Sequence, residues 1–110
     1  MLQCNASIQL AVRWLAKYPL YTPNNFNWRG KYVAFTYSAK LHLEEFQIDA
    51  LELIDMLHNP VPCPKSRVFR KKDIEICSTK KGRIFRIILF EDYCIDVQAD
   101  CWVVKHVKPI

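Results

Sequence analysis

The sequence predicts an α+β domain, with helices first and a run of strands after them forming an antiparallel meander. Three observations predict it. Apolar residues recur at helical spacing in the first half, at Ile8, Ala11, Val12 and Leu15 and again at Leu51, Ile54 and Leu57. From Asp73 onward, β-branched and aromatic residues fill short runs separated by turn signals. Between these halves stand Pro60, Pro62 and Pro64, which exclude regular structure there. A change from helical to strand period across such a break places helices on one face of a sheet. The chain has 110 residues, 51% of them hydrophobic and 25% charged, which fits one domain and excludes a disordered tail.

Asn5–Tyr18 is the first expected helix, capped by Asn5 or Ser7 and ended by Pro19. The connector that follows carries Tyr21, Phe26 and Trp28. These aromatics are expected to pin the loop to the domain, the alternative being that they stack on bases. Tyr32 to Tyr37 reads as a short strand. Ser38–Phe46 is a second helix with Ser38 as its cap. Asp49–His58 is a third, opened by an Asp49–Glu52 capping box and stopped by Asn59-Pro60. The meander begins after Val68, where Val68–Arg70 is a first strand candidate and Asp73 to Thr79 a clearer one. Lys80-Lys81-Gly82 is a turn, and Arg83 to Phe90 a central strand with the apolar run Ile87-Ile88-Leu89-Phe90. Glu91-Asp92 is read as the next turn, Tyr93 to Val97 as a continuation or bend, and Cys101 to Val107 as the closing strand. The expected core is Trp14, Leu15, Phe35, Leu51, Ile54, Leu57, Ile74, Ile76, Ile87, Leu89 and Val104.

Charge placement carries more information than its total of +5. Lys65 to Arg86 holds nine bases against Asp73 and Glu75, whereas the remaining chain holds seven bases and nine acids. Within that remainder, Leu41 to His58 has five acids and no Lys or Arg. A dipolar domain with one dense basic region is expected of a phosphate-binding face. The plainer reading is an edge hairpin whose lysines discourage strand pairing between molecules. Two glycines, Gly30 and Gly82, exclude a glycine-rich phosphate loop or a dinucleotide fingerprint. Arg13 and Lys17 break the longest apolar run near the N-terminus, and the first residues lack the pattern of a secretory signal. A cytoplasmic location and no membrane partner are therefore expected.

Five cysteines, Cys4, Cys63, Cys77, Cys94 and Cys101, include no Cys-x-x-Cys pair. Cys77, Cys94 and Cys101 lie among strand residues, so buried thiols are the expectation, with a disulfide and a metal set as the alternatives. Folding without metal and without an obligatory disulfide is the resulting prediction.

Phe35 to Ile48, FTYSAKLHLEEFQI, resembles an uncharacterised branch of the RelE/ParE-type toxin superfamily. That branch has a strand ending in Phe-Ser, then x-His-Ala, two residues, Arg, an acidic helix and Arg-Gly-Ile. A second helix ending in Asn-Pro and a β-meander follow. Here Phe35-Thr36 stands for Phe-Ser, Ala39 for the Ala, Glu45 for the acidic position and Ile48 for the Ile. Asn59-Pro60 closes the second helix. Ser38 stands in the place of the His, His42 in that of the first Arg, and Phe46 and Gln47 in that of Arg-Gly. The resemblance runs from Tyr32 to Pro109. It implies a single domain with a RelE-like core over residues 32–110, preceded by the helix and connector of residues 1–31.

By resemblance, the activity would be metal-independent mRNA cleavage, in which a ribose 2′-hydroxyl attacks the adjacent phosphate. Such chemistry needs cations to stabilise charge and a group to move protons. Arg83, Arg86 and His106 are the candidate catalytic residues. Arg67, Arg70, Lys72, Lys80, Lys81 and Lys105 are the candidates for binding RNA or a partner. Neither a cofactor nor a metal is expected. Adjacent strand residues face opposite ways, so Lys105 and His106 can share a site only if a bulge or the strand end intervenes. His42 is expected at the surface of an acidic helix, the alternative being that it recovers part of the missing chemistry. The partners expected are RNA or the ribosome and an acidic, antitoxin-like protein. The competing function is a non-catalytic module whose basic face binds an acidic partner.

Overall fold

A computed structural model of the chain describes residues 27–64, 72–95 and 97–110. The expected helix Asn5–Tyr18, with Trp14 and Leu15, and the strand candidate Val68–Arg70 lie outside the described residues, as do Cys4, Arg67 and Arg70. In chain order the elements are β1 (Asn27–Trp28), β2 (Lys31–Phe35), α1 (Tyr37–Glu45), α2 (Ala50–His58), β3 (Ile74–Lys80), β4 (Arg83–Cys94) and β5 (Ala99–Pro109). They form an α+β arrangement with one sheet in the order β1-β2-β5-β4-β3.

Both glycines serve the same local purpose. Arg29-Gly30 joins β1 to β2 and Lys81-Gly82 joins β3 to β4, each as a two-residue hairpin loop. All four residues have positive φ, between 49° and 77°, as the tight turn that matches strand twist requires.

β3, β4 and β5 form the expected antiparallel meander. The sheet as a whole is mixed, however, because β2 lies against β5 in parallel, with Val33, Ala34 and Phe35 opposite Trp102, Val103 and Val104. This corrects the purely antiparallel expectation. A parallel neighbour needs a long crossover, and the two helices with the hairpin supply one. The reversal expected at Glu91-Asp92 also moves. β4 runs on to Cys94, with Glu91 opposite Trp102 and Asp92 opposite Cys101. Glu91 is exposed and ion-paired with Lys31, so its charge sits on the sheet face without interrupting the ladder.

Helix α1 is capped by Thr36, whose hydroxyl accepts the Ala39 N–H at 3.1 Å, rather than by Ser38. Helix α2 carries the expected capping box: the Glu52 N–H donates to Asp49 at 2.7 Å, and the Asp49 N–H donates to the Glu52 carboxylate at 3.2 Å. Asn59 ends it.

The main core lies between the helices and one sheet face and includes Phe35, Leu43, Leu53, Ile54, Leu57, Ile87, Leu89, Val104 and Val107. Ile74 and Ile76, on the terminal strand β3, are half-buried against it. Leu51 departs from expectation and is 56% exposed. At about 100° per residue it lies about 160° around the helix from Leu53, which α2 points inward. On the other sheet face a smaller cluster contains Ala34, Cys94, Cys101 and Val103. Cys94 and Cys101 are both buried there, as expected.

Cys77 is not a thiol: it forms a disulfide with Cys63. The proline-rich loop makes an isolated antiparallel bridge there, with the Val61 N–H donating to the Cys77 carbonyl at 2.8 Å. That bridge brings Cys63 alongside β3, with a Cα–Cα distance of 5.3 Å, which a disulfide spans.

Candidate functional site

The site grows from a mismatch in strand length. β2 pairs with β5 only as far as Val104, and β5 continues to Pro109. At the same place the ladder with β4 slips: Leu89 faces Val104 and Ile88 faces His106, leaving Lys105 as an extra residue in a bulge. Val104 and Val107 consequently both enter the main core, although strict alternation would send them to opposite faces.

Past Val104, α1 replaces β2 beside β5. The Thr36 N–H donates to the Val104 carbonyl at 3.0 Å, and the Thr36 hydroxyl donates to the Lys105 carbonyl at 3.4 Å. Six residues on, His42 Nδ1 accepts the Val107 N–H at 3.3 Å. The cap of α1 and one of its side chains thus satisfy backbone groups where no described strand does. His42 is half-buried and bonded to β5, which corrects the expectation of a surface His.

His42 and His106 lie with ring centroids 5.7 Å apart and planes tilted by 31°. Burial lowers the pKa of His42 below its ordinary value, and the charges of Lys108 and His106 lower it further, against an opposing effect of Glu45. Burial also lowers that of His106, reinforced by Lys105 and Lys108 and opposed by Asp73. Both rings are therefore neutral near pH 7. The hydrogen bond from Val107 requires an unprotonated Nδ1, so the neutral His42 carries its proton on Nε2.

The remaining predicted residues separate into engaged and open cations. Lys105 is held by both oxygens of Asp73, at 3.0 and 3.2 Å, and lies 5.4 Å from the Phe90 ring centroid. Arg86 Nε meets Glu75 at 2.6 Å, and Lys80 pairs with Glu52 of α2. Lys72, Lys81 and Arg83 are exposed, Arg83 lying 6.0 Å from the Phe85 ring centroid, and so is Lys108, which was not among the predicted residues. Arg86 and His106 share a sheet face, because Ile88 is the partner of His106 and stands two residues from Arg86. Arg83 stands three residues from Arg86 in a regularly paired strand, so it projects to the other face. The three candidate catalytic residues are not brought to one point. His42 and Lys108 join His106 instead.

Among the described residues, Cys63, Glu75 and Cys77 have ligand atoms within 4.8 Å of one another. The two sulfurs are joined to each other, stapling the proline-rich loop to β3, and Glu75 is engaged by Arg86. A depression between α1 and α2, lined by Leu43, Ile48, Ala50, Glu44, Asp49 and Glu52, holds none of the predicted site residues. No helix among the described residues is long and apolar enough to cross a membrane.

No protein-family model, curated protein or solved structure matches the chain.

Sequence reasoning missed the contact between His42 and β5 and the pairing of Lys105 with Asp73. The one signal for the first was that His42 stands where the resembled pattern has a cation.

Proposed function

We propose that this protein is a toxin-like, RNA-binding protein with a RelE-like core, which cleaves single-stranded RNA without a metal ion. The observation that carries the reading is the setting of His106, a neutral imidazole beside Lys105 and Lys108. Burial first, and then the same positive charge that attracts a phosphodiester, keep this ring unprotonated, which is the state a general base needs. In the proposed step His106 takes the proton of a ribose 2′-hydroxyl as that oxygen attacks the adjacent phosphorus. The bond to the 5′-oxygen breaks, and that oxygen takes a proton from water. Exposed Lys72, Lys81, Arg83 and Lys108 provide cations for the RNA backbone. The order strand, helix, helix, three-stranded meander supports the RelE-like reading, since it is the order the sequence resemblance implies.

The competing reading, a non-catalytic module that binds an acidic antitoxin-like protein, has one observation in its favour. Lys80, Arg86 and Lys105 are already engaged by carboxylates, which leaves fewer cations to follow a phosphate backbone.

The test is binding and cleavage of a labelled single-stranded RNA, with and without EDTA. Cleavage should survive EDTA and be abolished in His106→Ala. Binding should weaken with salt at a log–log slope near about −3, as about four phosphate contacts on a single strand give. Binding without cleavage, combined with capture of an acidic protein, would favour the module. Absence of both binding and cleavage at low salt would sink the RNA reading.

A further inference from the structure

We propose that His42, His106 and Lys108 form a site for one phosphate group, in which His42 is a fixed neutral donor and His106 alone gains affinity for a proton when phosphate binds. The inference rests on the reading that this end of β5 meets a phosphate-bearing chain, and it names the subsite and the separate duties of its two imidazoles.

The two rings differ in what their nitrogens already do. His42 Nδ1 is committed to the Val107 N–H, and that bond exists only while Nδ1 is unprotonated. Protonating His42 would set two N–H groups against each other at the edge of β5. His42 is thereby left with an Nε2–H to donate and no proton to take. His106 has no such bond: its Nδ1 is buried without a hydrogen-bond partner. Its ring is the neighbour of His42 at 5.7 Å, so a bound anion near one ring is near both.

The surrounding charges favour an anion. Lys105 and Lys108 of β5 act on His106, and Lys108 also acts on His42. Arg86 of β4 stands opposite Lys108 in register. The opposing carboxylates are Glu45 on α1, Asp73 ahead of β3, which holds Lys105, and Glu75 of β3, which holds Arg86. Lys108 is exposed, lies two residues from His106 on the same face of β5 and exerts its charge on both rings, so it is the cation placed to meet a phosphate with them. Phosphate negative charge would offset what depresses His106 and raise its affinity for a proton, making it a stronger base toward the ribose hydroxyl.

The test is NMR of the histidine rings in the full chain, titrated with pH in the absence and presence of inorganic phosphate, and then of a dinucleoside phosphodiester. His42 should show the Nε2–H tautomer wherever it is neutral, with and without phosphate. The apparent pKa of His106 should rise by about one unit in saturating phosphate, equivalent to about tenfold tighter phosphate binding once the ring is protonated. His42→Ala should abolish that rise. His42→Gln, whose amide can both accept from Val107 and donate to phosphate, should retain it, with folding of both variants checked by circular dichroism. An equal rise for both rings, no rise for His106, an Nδ1–H tautomer at His42, or loss of the effect in a folded His42→Gln variant would overturn the proposal. A shift with phosphate and the phosphodiester, but no binding of longer single-stranded RNA, would sink the RNA reading and leave the subsite standing. RNA binding with no response of His106 would do the reverse.

Discussion

From Ala99 to Val104, β5 is an interior strand, with β2 meeting it at Trp102–Val104 and β4 along its other side. From Lys105 to Pro109 it keeps β4 but has Thr36 and His42 of α1 where β2 would be. In the first half Cys101, Val103 and Val104 have no measurable exposure and the backbone is satisfied by other backbone. In the second half Lys105 and His106 are half-buried, Lys108 is exposed, and two of the backbone groups find side-chain partners. A strand with neighbours on both sides has little freedom to vary its chemistry. Where one neighbour is replaced by a helix cap and an imidazole, ionisable groups can stand close together yet remain reachable. The candidate site lies on the second half for that reason.

The comparison can be broken most severely at the interior half. Leu89 faces Val104 in register and has no measurable exposure, so Leu89→Ala should cost about 2–5 kcal/mol in chemical unfolding. Ile54→Ala should behave similarly, whereas Leu51→Ala, at an exposed position, should change the unfolding free energy by less than about 0.5 kcal/mol. Equal losses for Leu51 and Leu89 would refute the core assignment.

Next in size is the staple on β3. The Cys63–Cys77 disulfide closes a loop with a sequence separation of 14, and loops of that length are worth about 3 kcal/mol. Reduction, or Cys63→Ser, should lower stability by about 2–3 kcal/mol. An unchanged denaturation midpoint under reductant would restore the expectation of thiols at both positions.

At the other half of β5, His42→Ala removes the acceptor for the Val107 N–H and should cost about 1–3 kcal/mol. Amide exchange should quicken at Val107 and remain slow at Val103. The pH dependence has a definite sign. The folded pKa values of His42 and His106 lie below the ordinary 6.5, so the unfolded chain takes up protons first as pH falls. Their contribution is complete above about 6.5, declines as pH drops toward the folded values, and levels off below them. His42→Gln should flatten that acid limb; an acid limb unchanged in this variant would remove His42 from the account.

The smallest effect belongs to the exposed ion pair across the interior half. Lys31→Ala should leave the unfolding midpoint nearly unmoved, because its partner Glu91 is exposed and surface pairs contribute little. A clear loss, abolished by high salt, would show that this pair matters more than its exposure suggests.

Several features of the fold were legible because they depend on neighbours in the chain. The Asp49–Glu52 capping box, the stop at Asn59 and the Lys81-Gly82 turn each follow from residues within a few positions. The Arg29-Gly30 turn obeys the same chemistry as Lys81-Gly82, but β1 is two residues long and offers no period to read. Glu91-Asp92 misled because polarity marks exposure as well as turns. Of the candidate site, His106, Lys105 and their cationic surroundings could be read from sequence. Arg83 and Arg86 were grouped by composition, although their spacing along a strand separates them.

Local sequence thus determined the α+β order, the helix limits at Asp49 and Asn59, the meander and the location of the basic charge, all of which arise from interactions over a few residues. Tertiary structure alone decided the parallel pairing of β2 with β5, the Cys63–Cys77 disulfide, the bulge at Lys105 and the meeting of His42 with His106. The last of these joins residues separated by most of the described chain. Such contacts form only after a crossover has placed two distant segments side by side, and no spacing or propensity within either segment encodes which partner it will meet.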